Sequence, residues 1–350
     1  MMIANFTKKG RKTDRHSFAL LLAMLLGGLG WAGAQDLHFS QFMNNPLLTN
    51  PANTGFNPDY DYRIGGSYRS QWWGLPAPYR TFSAWGDIQI NRESITNGWI
   101  GLGGVLLNDV AGNGGLRSTK AYLSIAYHQE LGENHLLSGG FNVGWASKRI
   151  DLVNFKWENQ WNGKFFDSNI PSGEAFAYSQ IGYPDVQAGL NYAWFPNENV
   201  YLNMGVSAMH LNTPRESFFS PSVSDNRVPV RYTAFANASL KVDEQWIVNP
   251  NVYYTNQAGA SELVGGLMAQ YNLSGGGEMQ VLAGAYLRLK DAAIATVGVE
   301  WNSTRLTFSY DATTSSLRNF NRGNGAIEVS LVNYGLLGTG TPRQSRCPKF

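Results

Sequence analysis

The sequence predicts a transmembrane antiparallel β-barrel of about 14 strands, and three observations predict it. Apolar and polar residues alternate with period two along most of the chain. Aromatic residues (13%) and Gly (39) are abundant while charge is low, at 15% of 350 residues. A secretory signal precedes the alternating region.

The signal occupies residues 1–34. Lys8, Lys9, Arg11, Lys12 and Arg15 form a basic flank, and residues 17–30 form a Leu-rich apolar run. That run is shorter than the ~20 residues that span a bilayer as a helix. Ala32-Gly33-Ala34 supplies a small-residue cleavage site, which places the cut between Ala34 and Gln35. Removal of 1–34 leaves 22 basic and 24 acidic residues, a balance that does not suggest a nucleic-acid partner. The single Cys, Cys347, excludes an internal disulfide framework.

Residues 35–59 are turn-rich, with Asn44-Asn45-Pro46, Asn50-Pro51-Ala52-Asn53 and Asn57-Pro58-Asp59. This segment is expected to plug the barrel or to hang in the periplasm. The barrel itself is expected over 60–334, with a tail at 335–350.

The alternation is clearest over 60–72, where Tyr62, Ile64, Tyr68 and Trp72 oppose Arg63, Ser67, Arg69 and Gln71. Phe82, Ala84, Ile88 and Ile90 then oppose Thr81, Ser83, Asp87 and Gln89. Leu123, Ile125 and Tyr127 oppose Lys120, Ser124 and His128; Leu137, Phe141, Val143 and Trp145 oppose Ser138, Asn142 and Lys148. Val186, Leu190, Tyr192 and Trp194 oppose Asp185, Gln187 and Asn191. Val230, Tyr232, Ala234 and Leu240 oppose Arg231, Thr233, Asn237 and Lys241; Ile327, Val329 and Leu331 oppose Glu328 and Ser330. Segments 99–107, 199–211 and 279–288 alternate less cleanly. Fourteen strands start near 61, 80, 98, 118, 135, 185, 199, 229, 246, 261, 279, 291, 304 and 325.

Link lengths support the same fold. Tight links fall at Gly132-Glu133, Pro196-Asn197-Glu198, Asp243-Glu244 and Asn302-Ser303, and long ones at 149–184, 212–228 and 312–324. Short periplasmic turns alternating with longer outer loops are what an outer-membrane barrel requires. The short link near Leu289-Lys290 is a partial exception. The apolar row is expected to face lipid, with Trp72, Trp73, Tyr79, Trp99, Trp194 and Trp246 as an aromatic girdle. Arg63, Arg69, Asp87, Lys120, Arg231, Glu300 and Glu328 are expected in the lumen, bracing the wall.

Catalytic chemistry finds little support. The His residues of the mature chain (38, 128, 135, 210) lack metal-ligand spacing. His38-Phe39-Ser40 pairs a base with a hydroxyl but has no recognisable oxyanion loop. The Gly101-Leu102-Gly103-Gly104 and Ser274-Gly275-Gly276-Gly277 runs lack a P-loop Lys and read as strand or turn glycines. Ser309 and Asp311 lack an adjacent base. No enzyme activity, cofactor or metal is expected. The 151–183 loop carries Trp157, Trp161, Phe165, Phe166 and Tyr178. These aromatics suggest a partner surface, or a loop folded over the pore and packed on itself.

Phe39-Ser40-Gln41-Phe42-Met43, Asn45-Pro46 and Asn50-Pro51-Ala52 resemble the opening of the PorP/SprF family of type IX secretion and gliding proteins. Tyr68-Arg69 with Gln71-Trp72, Phe82-Ser83, His210-Leu211-Asn212 and Pro229-Val230-Arg231-Tyr232 continue the resemblance in order. Gly284-Ala285-Tyr286-Leu287-Arg288 with Asp291, Ser309-Tyr310-Asp311 and Glu328-Val329-Ser330-Leu331 complete it. The resemblance implies a non-enzymatic barrel in the outer membrane of a Bacteroidetes-like bacterium. It implies help in the export or surface anchoring of a large secreted protein or adhesin, and contact with periplasmic ring lipoproteins. A passive or substrate-specific channel is the competing expectation.

Overall fold

The computed structural model describes residues 37–337, apart from 58, 76, 77, 93, 113, 114, 153, 154, 175 and 223. The expected signal peptide, its Ala34/Gln35 cleavage site, and Cys347 in the tail lie outside the described residues.

Fourteen strands appear at the places the alternation indicates. They are β1 (Tyr62–Gln71), β2 (Tyr79–Ile90), β3 (Gly98–Ala111), β4 (Leu116–Glu130), β5 (His135–Ile150), β6 (Gln180–Asn197) and β7 (Val200–Met209). They continue as β8 (Arg231–Lys241), β9 (Trp246–Gln257), β10 (Ala260–Asn272), β11 (Met279–Arg288), β12 (Ala292–Trp301), β13 (Thr304–Thr313) and β14 (Asn324–Gly335). Each strand pairs antiparallel with its chain neighbours, and β1 closes on β14 from Tyr62 opposite Gly335 to Gln71 opposite Ala326. Closure leaves no edge, so the wall's backbone groups are paired within the sheet, as hydrocarbon demands.

Burial is inverted relative to a water-soluble domain. Ile64, Phe82, Leu123, Phe141, Leu190, Tyr232, Val297 and Leu331 are all exposed, with Leu123 at 78%. Ser67, Ser83, Asp87, Ser124, Asn142, Gln187 and Ser330 are buried. An apolar surface of this extent is what lipid solvates and water does not.

The turns at 91–97, 131–134, 198–199, 242–245, 273–278 and 302–303 lie at the end where β1 begins and β14 ends. By the short-turn rule this end is periplasmic. Asn302 and Ser303 both hold positive φ (46° and 61°), the two-residue geometry whose twist matches paired strands. The opposite end carries the long links 151–179, 210–230 and 314–323. It also carries shorter ones, the expected 289–291 and, in addition, 72–78, 112–115 and Ala258-Gly259.

The segment from Leu37 to Asp59 plugs the lumen, which settles the alternative left open by its sequence. It consists of three short helical turns, Phe42–Asn44, Pro46–Thr49 and Pro51–Asn53. Three apolar side chains seat it in the wall. Phe42 packs with Phe235, Tyr253, Val264, Tyr286 and Ile294. Leu47 packs with Trp85, Val105, Tyr122 and Val332. Phe56 packs with Trp99, Leu136, Ala193 and Phe195.

Trp99 therefore corrects one expectation. It is no girdle residue: it is fully buried on the lumen face, stacks on His128 at 4.9 Å and donates its indole N–H to Gly55 O at 2.9 Å. The neighbouring lumen positions, Gly101 and Gly103, carry no side chain that could reveal the face in sequence. Trp73, Trp194 and Trp246 are exposed as a girdle requires.

Candidate functional site: the plug seat, the lumen cavity and the outer loops

The plug is hydrogen-bonded around the barrel as well as packed. Asn45 donates to Ser67 Oγ (2.9 Å) and accepts from Ser83 Oγ (2.7 Å). Trp85 donates its indole N–H to Asn44 O at 2.9 Å. Asn50 Nδ2 donates to the Leu190 and Val206 carbonyls at 2.9 and 3.2 Å. At the periplasmic end Gly55 N–H donates to Asp87 at 2.7 Å, and Asp87 is also paired with Arg63.

Near the outer end the plug meets a buried charge cluster. Ser40 N–H and Gln41 N–H donate to the two carboxylate oxygens of Glu328 at 2.8 and 3.0 Å. Ser40 Oγ donates to Asp311 at 2.7 Å and accepts from Arg69 and Arg288, each at 2.6 Å. Arg69 also bridges Asp311 (2.9 Å) and Glu328 (3.1 Å), and Arg288 reaches Asp311 and Asp291, both at 3.1 Å. Gln41 donates to Ser309 Oγ and to the Glu328 carbonyl, both at 3.0 Å, and accepts from Thr307. Two guanidinium groups and two carboxylates, all at most 2% exposed, thus hold one serine of the plug. Buried charges persist only when paired and hydrogen-bonded this way.

The sequence motifs that resemble PorP/SprF converge on this latch. Ser40 and Gln41, Arg69, Arg288 with Asp291, Ser309 with Asp311, and Glu328 lie far apart in sequence and meet here. Arg231 adds a bond to Leu37 O at 3.0 Å. Lumen placement of Arg69, Arg231 and Glu328 follows from strand parity; their common partner, Ser40, does not. His38 is not paired with Ser40: its Nδ1 faces Glu262 at 3.5 Å. Burial, reinforced by the nearby Arg288, Arg69 and Arg231, holds its imidazole pKa well below the ordinary value.

The outer loop 151–179 separates its expected partner residues. Trp157 is half-buried; it stacks on Phe155 and packs on Phe176, which stacks on Phe219 of the 210–230 loop. Phe166 lies under Lys156, 5.2 Å from ring centre to ammonium, and bridges to Trp161. Trp161 (58%), Phe165 (59%) and Tyr178 (47%) are exposed. The loop therefore packs partly on its neighbour and presents three aromatics outward.

On the periplasmic side of the plug lies a cavity of about 570 Å³, bounded by Phe42, Met43 and Phe56 of the plug and by β1, β2 and β7–β14 of the wall. The turn residues Gly276, Gly277, Asn302 and Ser303 border it, so it opens at the periplasmic end. A smaller cavity of about 140 Å³ adjoins it beneath residues 40–44.

Among solved structures, the Ralstonia pickettii toluene transporter TbuX is similar in fold. The two chains are 10% identical, with 83% of this chain and 92% of that chain covered, and a TM-score of 0.51. The Pseudomonas putida toluene transporter TodX (10% identity, 83% and 92% covered, TM-score 0.47) was also found. So was a Pseudomonas aeruginosa FadL homologue (11% identity, 83% and 94% covered, TM-score 0.48). No curated protein matches the sequence. Residues 32–332 match the family described as type IX secretion system membrane protein PorP/SprF. With its lipid-facing wall and closed fourteen-strand order, the chain is an outer-membrane barrel, and it belongs to the PorP/SprF family of type IX secretion membrane proteins.

Proposed function

We propose that this barrel works without an enzymatic step, as a docking component that helps export a large secreted protein or adhesin or anchors it at the cell surface. The observation that carries this reading is the plug, latched near one end, tied to Asp87 near the other and seated on three apolar clusters between. A wall that spends its inward residues on holding its own N-terminal segment is suited to gripping protein rather than to passing solutes. Trp161, Phe165 and Tyr178 offer the cargo the kind of exposed aromatic surface that dominates protein interfaces. The six periplasmic turns face the side on which ring lipoproteins of the secretion machine would dock.

The test is a strain lacking this protein. Loss of the surface cargo with unchanged uptake of small solutes supports the proposal. Normal surface cargo with lost uptake rejects it and favours a substrate-specific channel, the reading that the periplasmic cavity would then serve. A strain carrying W161S and F165S together should keep the barrel in the membrane and lose most surface cargo, read by immunofluorescence of intact cells.

A further inference from the structure

The outward face of the wall carries a row of arginines at the end with the long links. Arg80 on β2 lies opposite Val110 on β3, Val110 opposite Arg117 on β4, and Arg117 opposite Arg149 on β5. Thr81 and Ser118, chain neighbours of the first two arginines, are buried on the lumen face; Arg149 shares its parity with the exposed Val143 and Trp145. All three guanidinium groups therefore point away from the lumen, and all three residues are exposed. Other cations find carboxylates: Arg63 with Asp87, Arg305 with Glu300, Lys148 with Glu216, Lys241 with Glu244. Among the described residues, the side chains of Arg80, Arg117 and Arg149 have neither an ion pair nor a hydrogen bond. Like charges directly opposite on one sheet face repel, and Arg117 and Arg149 are such a pair. An anion held between them reverses the sign of that interaction.

Depth identifies what carries the anion. Beneath the arginines on the same face lie Asn108, Thr119 and Ser147, then Leu106, Ala121 and Trp145, then Leu123 and Val143. Leu106, Trp145, Leu123 and Val143 are exposed. At the far margin of this strip Tyr127 turns its hydroxyl to Gln129, at 2.6 Å. From Tyr127 to Arg117 along β4, a rise of ~3.4 Å per residue and a tilt near 40° give about 26 Å across the membrane, against an apolar band ~25 Å tall. With the short turns in the periplasm, the arginines stand at headgroup depth in the outer leaflet. Strand spacing of ~4.8 Å sets Arg80 and Arg149 about 14 Å apart, room for more than one phosphate. A soluble anion gains nothing from the apolar strip below; a lipid uses both.

We propose that Arg80, Arg117 and Arg149 bind the phosphorylated headgroup of an outer-leaflet lipid, whose acyl chains lie on Leu106, Leu123 and Trp145. Guanidinium suits this role because its planar fork matches phosphate oxygens in pairs. The test adds bisphosphorylated lipid A, dephosphorylated lipid A or inorganic phosphate to the purified full barrel in detergent, and reads bound molecules by native mass spectrometry. The barrel should retain the phosphorylated lipid, and R117Q with R149Q should weaken retention about tenfold or more, the loss expected for charge-assisted hydrogen bonds. K290Q, which removes an exposed cation at the same end outside the row, should leave retention unchanged. The double variant must keep its heat-modifiable gel band; if it does not, R80Q takes its place. Four outcomes overturn the proposal. One is equal retention of the dephosphorylated lipid. Another is retention that the row variants leave unchanged. The third is an equal loss in K290Q, which would mark attraction to net charge alone. The fourth is displacement of the lipid by an equal concentration of inorganic phosphate, which would mark a site for free anions.

Discussion

Arg69 is the residue on which the latch turns. It bonds Ser40 of the plug and pairs with both Asp311 and Glu328 at 2% exposure. Replacing it with Met leaves buried Glu328 without its cation and Asp311 with Arg288 alone, and breaking a buried pair from one side costs about 3–5 kcal/mol. R69M should therefore lower the thermal stability of the purified barrel and expose the 37–59 segment to protease; an unchanged digestion pattern would count against the latch. Gly101 tests the same seat through the backbone. A Cβ there would lie 1.9 Å from the Thr54 carbonyl oxygen of the plug. G101A should keep the heat-modifiable barrel yet displace the plug, which cross-linking between plug and wall cysteines would register as lost yield. His38 adds a pH dependence. Half-buried, with Arg288, Arg69 and Arg231 near it and Glu262 at 3.5 Å, it stays neutral where a free imidazole, with a pKa near 6.5, takes up a proton. The released plug thus binds more protons below that pH, and acidification from pH 7.5 to about 5.5 should favour release. Protease sensitivity of the segment that falls with acidification would contradict this.

At the scale of the strand, alternation did the work. Leu123 sits near the middle of β4 at 78% exposure, with Ser124 beside it on the lumen face at 4%. L123R places a charge in hydrocarbon and should destabilise the barrel by about 2–4 kcal/mol in urea titrations in lipid. An equal effect from S124A would undermine the assignment of faces. Every strand was legible because lipid and lumen impose opposite polarity on successive residues. The sequence was least clear in β3, β7 and β11, and the plug explains β3 and β7. Gly101 and Gly103 face inward because Thr54 and Leu47 press against them, and Gly205 because Asn50 does. A face cleared for a neighbour has no polarity to read, and Trp99 was assigned to the wrong side for that reason.

For the whole molecule, the decisive contacts join residues far apart in the chain. Ser40 meets Glu328 across 288 positions and Asp311 across 271. The plug is irregular, so it carries no periodicity, and its turn-rich composition fits a lumen as well as the periplasm. The motifs shared with PorP/SprF held the information in scattered form; only closure of the barrel brings them around one serine. The outer loop was legible as a surface but not in detail, since stacking of Trp157 through Phe176 onto Phe219 depends on how two loops meet.

The barrel's own N-terminal segment closes it. Single-channel recording in planar bilayers, comparing the mature protein with a form lacking residues 37–59, tests this most directly. The mature protein should stay electrically silent while the truncated barrel conducts in steady steps. Equal conductance from the two forms would contradict the account.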